Sequence, residues 1–463
     1  MRPVSLPILL DREARIPVFE QIAIALREKI KSGDLAAGAL LPPTRTFAAD
    51  VGASRSTVVN AYDQLVAEGY IEGRQGAGFV VCDIGALSLP ARQAVEVATS
   101  VKPRVMRAFR PGEPDMRLFP HRSWGKAVAR LCRRAPEEML GSMPRFGHEG
   151  LRAAIAQHVA DWRGLSVDPA QIIVTAGASD ALELCLRSLC VVGDAVALED
   201  PGFRPLTQFV RSQHLMPVYL SSDGQGAGLP TAAKVAVLTP SQQFPLGGSM
   251  SPQRRAGFVQ WAQSGDRWII EDDYDSEFRY AGRPIPAMAG IDGLSRTIYI
   301  GSFSKIFANG LRLGYAIVPM ALLDQVAATQ RRFGARASLM PQAPLAEFMR
   351  TGEFYRHLRR VRRIYGQRRV VLTEALRSDF ADVGRFVDHQ AGMQIAFHLN
   401  KELQDLDIAQ RARAQGLEIE ALSQYCLGLA RYNGLLLGFC GFDETELAEG
   451  LKQLRLVLNA SIQ

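Results

Sequence analysis

Lys305 closes the stretch Gly301-Ser302-Phe303-Ser304-Lys305, and Arg312 follows seven residues later. Apolar runs at residues 297–300 and 314–318 flank it and read as buried strands. A lysine at a strand-to-loop junction can be desolvated, and its amine is then nucleophilic enough for a Schiff base. Two hydroxyls and an arginine beside it suit a phosphate. Alone, the lysine reads equally well as a solvated loop residue. One cofactor needs both an amine partner and a phosphate cradle: pyridoxal 5'-phosphate. Its ring asks for more, a carboxylate at the pyridine nitrogen and a hydroxyl at the phenolic oxygen. Upstream, Trp268-Ile269-Ile270 runs into Glu271-Asp272-Asp273-Tyr274-Asp275. Ligands of open α/β sheets gather at the carboxyl ends of strands, which places Asp272 and Tyr274 suitably. A solvated turn explains the acids but not their position after a core strand.

The elements that hold these groups can be traced outward. Ile172-Ile173-Val174 reads as a strand, and Thr175 to Leu182 as a turn opening a helix. Amides at a helix N-terminus bind anions, so Gly177, Ala178 and Ser179 are candidates for the second half of the phosphate cradle. The first eighty residues have a different pattern. Val18, Ile22, Ile24, Leu26 and Ile30 mark an amphipathic helix over residues 17–31, ended by Gly33 and Gly38. A shorter helix is expected from an N-cap at Thr44, and a third opens at Ser54-Arg55-Ser56-Thr57 and runs to about Glu68. This is helix-turn-helix spacing, with the third helix's N-terminus available to a major groove. Residues 71–81, with Gly73, Gly76 and Gly78, read as a hairpin wing.

The string LPPTRTFAADVGASRSTVVNAYDQLVAEGYIEGRQGAGFVV resembles the GntR-type winged helix. EDDYDSEFRY (residues 271–280) and GSFSKIFANGLRLGY (301–315) resemble the signatures of the MocR, or GabR-like, regulators. That resemblance implies a multidomain chain: a winged helix-turn-helix over residues 1–82, a linker over 83–107, and a large α/β fold-type I aminotransferase-like domain over 108–463. It implies that Lys305 carries the cofactor, that Asp272 faces the pyridine nitrogen and Tyr274 the ring oxygen, and that Ser302, Ser304 and Arg312 hold the phosphate. Glu199-Asp200-Pro201-Gly202-Phe203 resembles the loop whose aromatic residue stacks on the ring, which nominates Phe203. Arg45, Ser54, Arg55, Ser56 and Thr57 would approach double-stranded operator DNA, with Gln75-Gly76 at the wing tip. Arg431 is the candidate for an effector's carboxylate. The implied function is transcriptional regulation in which an amine or amino acid reacting at Lys305 alters operator binding, by a head-to-tail, domain-swapped homodimer. A working aminotransferase with an autoregulatory DNA-binding domain, and a regulator sensing pyridoxal phosphate itself, stay open.

The chain departs from the family at Thr239-Pro240-Ser241-Gln242-Gln243-Phe244-Pro245-Leu246-Gly247, where Gln242 replaces a histidine and Leu246 a small hydroxyl residue. A basic run, Arg356 to Arg363 with Arg368 and Arg369, reads as a helix whose default is a solvated face. Arg359, Arg360, Arg362 and Arg363 are candidates there for an auxiliary DNA contact. The whole chain is mildly basic, with 54 basic against 47 acidic residues and a net charge of +7, yet residues 1–82 hold about as many acids as bases, so DNA binding must come from placement of charge rather than its sum. No apolar run approaches a membrane span, and the N-terminus lacks a secretory apolar segment, which leads us to expect a cytoplasmic protein. The six cysteines contain no C-x-x-C pair and are expected to be reduced and mostly buried. No metal-ligand spacing is found.

Overall fold

The computed structural model describes residues 8–14, 16–74, 78–83, 108–142, 144–334, 337–428 and 431–462. The chain separates into two compact units, Met1–Pro103 and Arg104–Gln463. Gln75, Gly76 and residues 84–107 of the expected linker lie outside the described residues.

In the first unit, helix α1 spans Val18–Lys31, α2 Thr44–Asp50 and α3 Arg55–Ala67. Strands β1 (Ile71–Arg74) and β2 (Gly78–Val81) pair antiparallel, Ile71 opposite Val81. Ile22, Leu26, Ile30, Phe47, Tyr62 and Leu65 come together as the core, so the apolar stripe of α1 does face inward. Ile24 departs from that stripe and is 38% exposed. The buried Tyr62 hydroxyl is satisfied by the Pro42 carbonyl at 2.9 Å. The start of α2 differs from expectation. Pro43, extended in backbone, is the N-cap and its carbonyl accepts from Phe47 N–H, so Thr44 is already the first helical residue. Ser54 caps α3 as its sequence suggested, accepting from Thr57 N–H at 3.1 Å.

The second unit is built on an eight-stranded sheet. Its strands are β3 (Ile172–Thr175), β4 (Ala195–Asp200), β5 (Met216–Asp223), β6 (Gly226–Ala227), β7 (Val235–Leu238), β8 (Trp268–Asp273), β9 (Thr297–Ser302) and β10 (Gly314–Ile317), in the order β3-β10-β9-β8-β7-β4-β5-β6. Strands β9, β8, β7, β4 and β5 run parallel, while β10 is antiparallel to both β9 and β3. The carboxyl ends of β3, β4, β7, β8 and β9 therefore share one edge. Strands β3, β7, β9 and β10 are buried along nearly their whole length, as a sheet covered on both faces requires. A smaller antiparallel sheet follows: β11 (Gly384–Phe386), β12 (Gln394–Leu399), β13 (Glu420–Ala421) and β14 (Gly434–Gly438), in the order β11-β12-β14-β13.

The basic run lies in the helix Glu353–Ser378, but the expected solvated face is only partly present. Arg368 and Arg369 are buried: Arg368 meets Asp115 at 2.8 Å, and Arg369 pairs with Asp388. Arg360 donates to the Leu118 carbonyl, and Arg362 donates to the Arg279 carbonyl and lies over the Trp162 ring. Arg359 and Arg363 are exposed. A charge run read along the chain does not reveal which arginines meet acids distant in sequence. The cysteines also divide: Cys185 and Cys440 are buried, Cys132 is exposed, and the rest are intermediate. No described helix is long and apolar enough to cross a membrane.

Candidate functional site

One cavity of about 270 Å³ opens at the carboxyl edge of the large sheet. All ten residues nominated for the cofactor line it: Lys305, Asp272, Tyr274, Ser302, Ser304, Arg312, Gly177, Ala178, Ser179 and Phe203. They arrive from four strand ends, β3, β4, β8 and β9, and from the turn before β10. Thr239 at the end of β7, with Phe244, Asn309 and Leu182, completes the lining.

Strand alternation explains the acids. Successive side chains of β8 point to opposite faces. Glu271 and Asp273 turn toward the buried Arg163, at 3.8 and 2.8 Å, and Tyr299 donates to Asp273. Asp272 turns to the cavity. Its Oδ1 is buried and has no hydrogen-bond partner, which is costly for a carboxylate. Burial first, and then the neighbouring Asp273, push Asp272 up to about 7, against the pull of Lys305. A cationic N–H donor placed at that oxygen would remove the cost, and a protonated pyridine nitrogen is such a donor.

Lys305 is held opposite. Burial lowers its pKa, against the attraction of Asp275 and Glu113. Its Nζ donates to the Gly112 carbonyl at 2.8 Å. Gly112 has φ +62°, and a Cβ there would stand 2.9 Å from Nζ, so both the turn and the approach of the lysine require glycine. The anion side is equally specific. Gly177 caps the twelve-residue helix Ala178–Leu189, whose first residues, Ala178 and Ser179, line the cavity at the helix N-terminus. Gly314 lets β10 come against that turn, since a Cβ on it would lie 2.7 Å from the Gly177 carbonyl carbon. Ser302 Oγ accepts from Ser304 N–H at 3.2 Å, and Arg312 sits in the left-handed region at φ 50°.

Two supports were not singled out from sequence. Buried Glu199, pushed up to about 7 chiefly by desolvation, accepts from the Thr239 N–H at 3.1 Å and from its hydroxyl. The Thr239 hydroxyl in turn accepts from Phe244 N–H at 3.1 Å. Phe244 meets Phe203 and Tyr274 edge-on, with centroids 6.1 and 5.8 Å apart. Of the departures, Gln242 is buried and donates to Asp275 at 3.3 Å, and Leu246 is half-buried; neither lines the cavity. Arg431 does not line it either: it is exposed and donates to the Gly428 carbonyl at 2.9 Å.

In the first unit, Arg45, Ser54, Arg55 and Ser56 are exposed and Thr57 is half-buried. Ser54 Oγ lies 2.8 Å from Ser56 Oγ and 2.7 Å from Thr57 Oγ1, a hydroxyl cluster at the start of α3. Arg74 is held by Glu72 at 2.7 Å.

A winged helix joined to a large α/β unit of this topology defines a class: DNA-binding proteins that carry an aminotransferase-like domain. Comparison with known proteins agrees. Residues 19–81 match the gntR family of bacterial regulatory proteins, and residues 112–428 match aminotransferase class I and II. The chain is 36% identical to the probable rhizopine catabolism regulatory protein MocR of Rhizobium meliloti, over 97% of this chain and 95% of that one. It is 32% identical to the pyridoxine biosynthesis transcriptional regulator PdxR of Corynebacterium glutamicum, over 96% of both. Among solved structures, LysN, an α-aminoadipate aminotransferase of Thermus thermophilus complexed with N-(5'-phosphopyridoxyl)-L-leucine, matches at TM-score 0.69 and 26% identity, covering 76% of this chain and 92% of that one. The chain belongs to the MocR/GabR subfamily of GntR-family transcriptional regulators.

Proposed function

We propose that the second unit binds pyridoxal 5'-phosphate covalently at Lys305, and that an amine or amino acid competing with Lys305 changes how the first unit binds its operator. The observation that carries the reading is the buried, unpartnered Asp272 Oδ1 across one cavity from a desolvated lysine. When bound, the cofactor supplies an aldehyde that takes an amine partner and a ring nitrogen that carries a proton. Asp272 would accept from that N–H at Oδ1, the Tyr274 hydroxyl would serve the ring oxygen, and Phe203 would offer its ring to the cofactor's. The helix amides at Gly177–Ser179, the hydroxyls of Ser302 and Ser304, and Arg312 would hold the phosphate. Lys305, kept neutral more easily by burial, supplies the nucleophilic amine.

The lysine can be engaged in either of two ways, covalently or through its hydrogen bond to Gly112. Gly112 lies in the stretch by which the chain enters the second unit. Phe109, Gly112 and Asp115 anchor it: the Phe109 carbonyl accepts from Gly438 N–H, and Asp115 holds Arg368 at 2.8 Å. A change in the lysine's partner is thus felt where the chain arrives from the DNA-binding unit. We infer that the molecule works as a homodimer on a two-part operator, with Arg45, Ser54, Arg55, Ser56, Thr57 and the Gln75-Gly76 wing tip approaching the DNA.

The test is linkage. An amine that shifts the absorption of the loaded protein should change its affinity for a DNA fragment from upstream of its own coding sequence. That DNA should change the amine's affinity by the same factor, because coupling between two binding sites is reciprocal. An absorption shift with no change in DNA affinity would sink the proposal.

A further inference from the structure

A strap of chain, residues 8–14, crosses the first unit ahead of α1. Ile8 and Leu10 pack against the small core, while Leu9 between them is fully exposed. Gln21 of α1 fixes the strap through its side-chain amide. Its Oε1 accepts from Asp11 N–H at 2.9 Å, and its Nε2 donates to the carbonyls of Asp11 at 2.7 Å and Ile16 at 2.9 Å. The strap therefore follows one definite path, and Arg12 leaves it at a definite place.

That place is the turn of the helix-turn-helix. Arg12 Nη2 donates to the Gly52 carbonyl at 2.7 Å. Gly52 follows α2 in the left-handed region, at φ +63°, and Ala53 N–H donates back to the Ala48 carbonyl at 2.9 Å. Ser54 and α3 come next. Gly52 and Arg55 are so close in the chain that their Cα atoms lie no more than about 11 Å apart. The major groove is about 12 Å wide. With the start of α3 inside it, a cation at Gly52 stands near the rim, where the phosphates are.

Arg12 is exposed, and its guanidinium makes no other hydrogen bond and no ion pair among the described residues. Asp11, beside it, turns its carboxylate back onto the Glu13 N–H at 2.9 Å. Bracing the turn needs one donor and no charge, so that role leaves the exposed, unneutralised cation unexplained. The remaining N–H donors of the fork suit a phosphate, which a guanidinium can bind with two parallel hydrogen bonds. The bond to Gly52 fixes the fork before DNA arrives, so less side-chain freedom is lost on binding.

We propose that Arg12 binds a backbone phosphate of the operator at the rim of the groove that α3 enters, and that the strap presents it there. The inference rests on the reading of α3 as the helix in the groove. It adds a contact from a part of the chain outside both the helix-turn-helix and the wing.

The test uses the full chain loaded with pyridoxal phosphate, a DNA fragment from upstream of its coding sequence and an unrelated fragment of equal length, between about 50 and 200 mM salt. Losing one phosphate contact makes the slope of log affinity against log salt shallower by about 0.9. For each protomer bound, the affinity ratio of the unaltered chain to Arg12→Gln should thus fall about 3.5-fold across that range. The fall should be alike on the two fragments, because a phosphate contact carries no sequence information. Arg12→Lys keeps the charge and should keep the slope. Arg12 stands outside the core, so both variants should fold. An unchanged slope in Arg12→Gln, whatever its affinity, overturns the proposal and leaves Arg12 as a brace for the turn. A slope that flattens equally in Arg12→Lys overturns it as well, because the charge is then not what the DNA meets. Arg55→Ala, measured alongside, checks the reading beneath: if it leaves the affinity for both fragments unchanged, α3 is not in the groove and the placement of Arg12 at the rim falls with it.

Discussion

The two units of this chain present their candidate functional residues in opposite ways. Arg45, Ser54, Arg55 and Ser56 stand on the surface of a small three-helix unit whose core is made by other residues. Lys305, Asp272 and Tyr274 line a cavity whose walls come from strands far apart in the chain. The first arrangement is cheap to build, because a surface arginine needs only a helix to stand on. The second carries a stability cost in the unloaded protein, in a desolvated lysine and a carboxyl held at about 7. The difference predicts that substitutions of the exposed arginines in the first unit act on DNA binding alone. Substitutions in the second should act on cofactor, effector response and stability together.

The largest expected effect breaks the second unit's function while sparing the first. Lys305→Ala should abolish both the covalent cofactor absorption and every amine response of operator binding, yet leave the unliganded protein able to bind DNA. A response that persists in this variant removes the covalent switch. The converse is Arg55→Ala, which should weaken operator binding by about 10- to 100-fold, the range for one base-reading arginine, with cofactor absorption and amine affinity unchanged. Equal loss on all DNA sequences, with a shallower salt dependence, would mark Arg55 as a phosphate contact instead.

Asp272 tests the cost of the buried site. Its folded pKa, about 7, lies above the ordinary 3.8. Between those values the folded, cofactor-free protein binds a proton that the unfolded chain has released, so stability is lost as pH rises. Below pH 3.8 both states are protonated and the contribution is fully present; above about 7 it is gone. Asp272→Asn cannot ionise. The melting temperature of the cofactor-free protein minus that of the variant should therefore fall from pH 4 to pH 7. In the loaded protein a ring N–H at Oδ1 should reverse that preference and flatten the difference, and the variant should hold pyridoxal phosphate at least about tenfold less tightly. A difference that does not change with pH in the cofactor-free protein would show that Asp272 is already ionised there.

What sequence revealed and what it concealed divide along the same line. Lys305, Asp272 and Tyr274 were legible because each follows an apolar run, and in this sheet the parallel strands end at one edge. Thr239, Phe244 and Asn309 lie within the motif stretches themselves, yet a residue type beside a motif does not tell which way its side chain turns. Glu199 belongs to the segment before Phe203. Its role depends on a hydrogen bond to Thr239, forty residues away, and no local pattern encodes it. The same limit misassigned the basic helix. Arg368 and Arg369 looked solvated because Asp115 and Asp388, their partners, lie elsewhere in the chain. Thr44 was misplaced by one residue because Pro43 can itself be a helix N-cap, its fixed φ and extended ψ leaving its carbonyl free to accept the first bond.

The smallest expected effect decides what an exposed residue of the first unit is for. Ser54 is both the cap of α3 and a candidate DNA contact. Ser54→Ala removes the acceptor for Thr57 N–H and should cost about 1 kcal/mol, lowering the melting temperature of the first unit by about 4–8 °C. Aspartate caps a helix as well as serine does, so Ser54→Asp should recover that stability. If Ser54 is only a cap, the aspartate variant recovers DNA binding too. If its hydroxyl approaches a phosphate, the added negative charge repels the DNA, and binding falls below that of the alanine variant although the fold is as stable as before. The two variants separate the surface role from the structural one at a position where both rest on one oxygen.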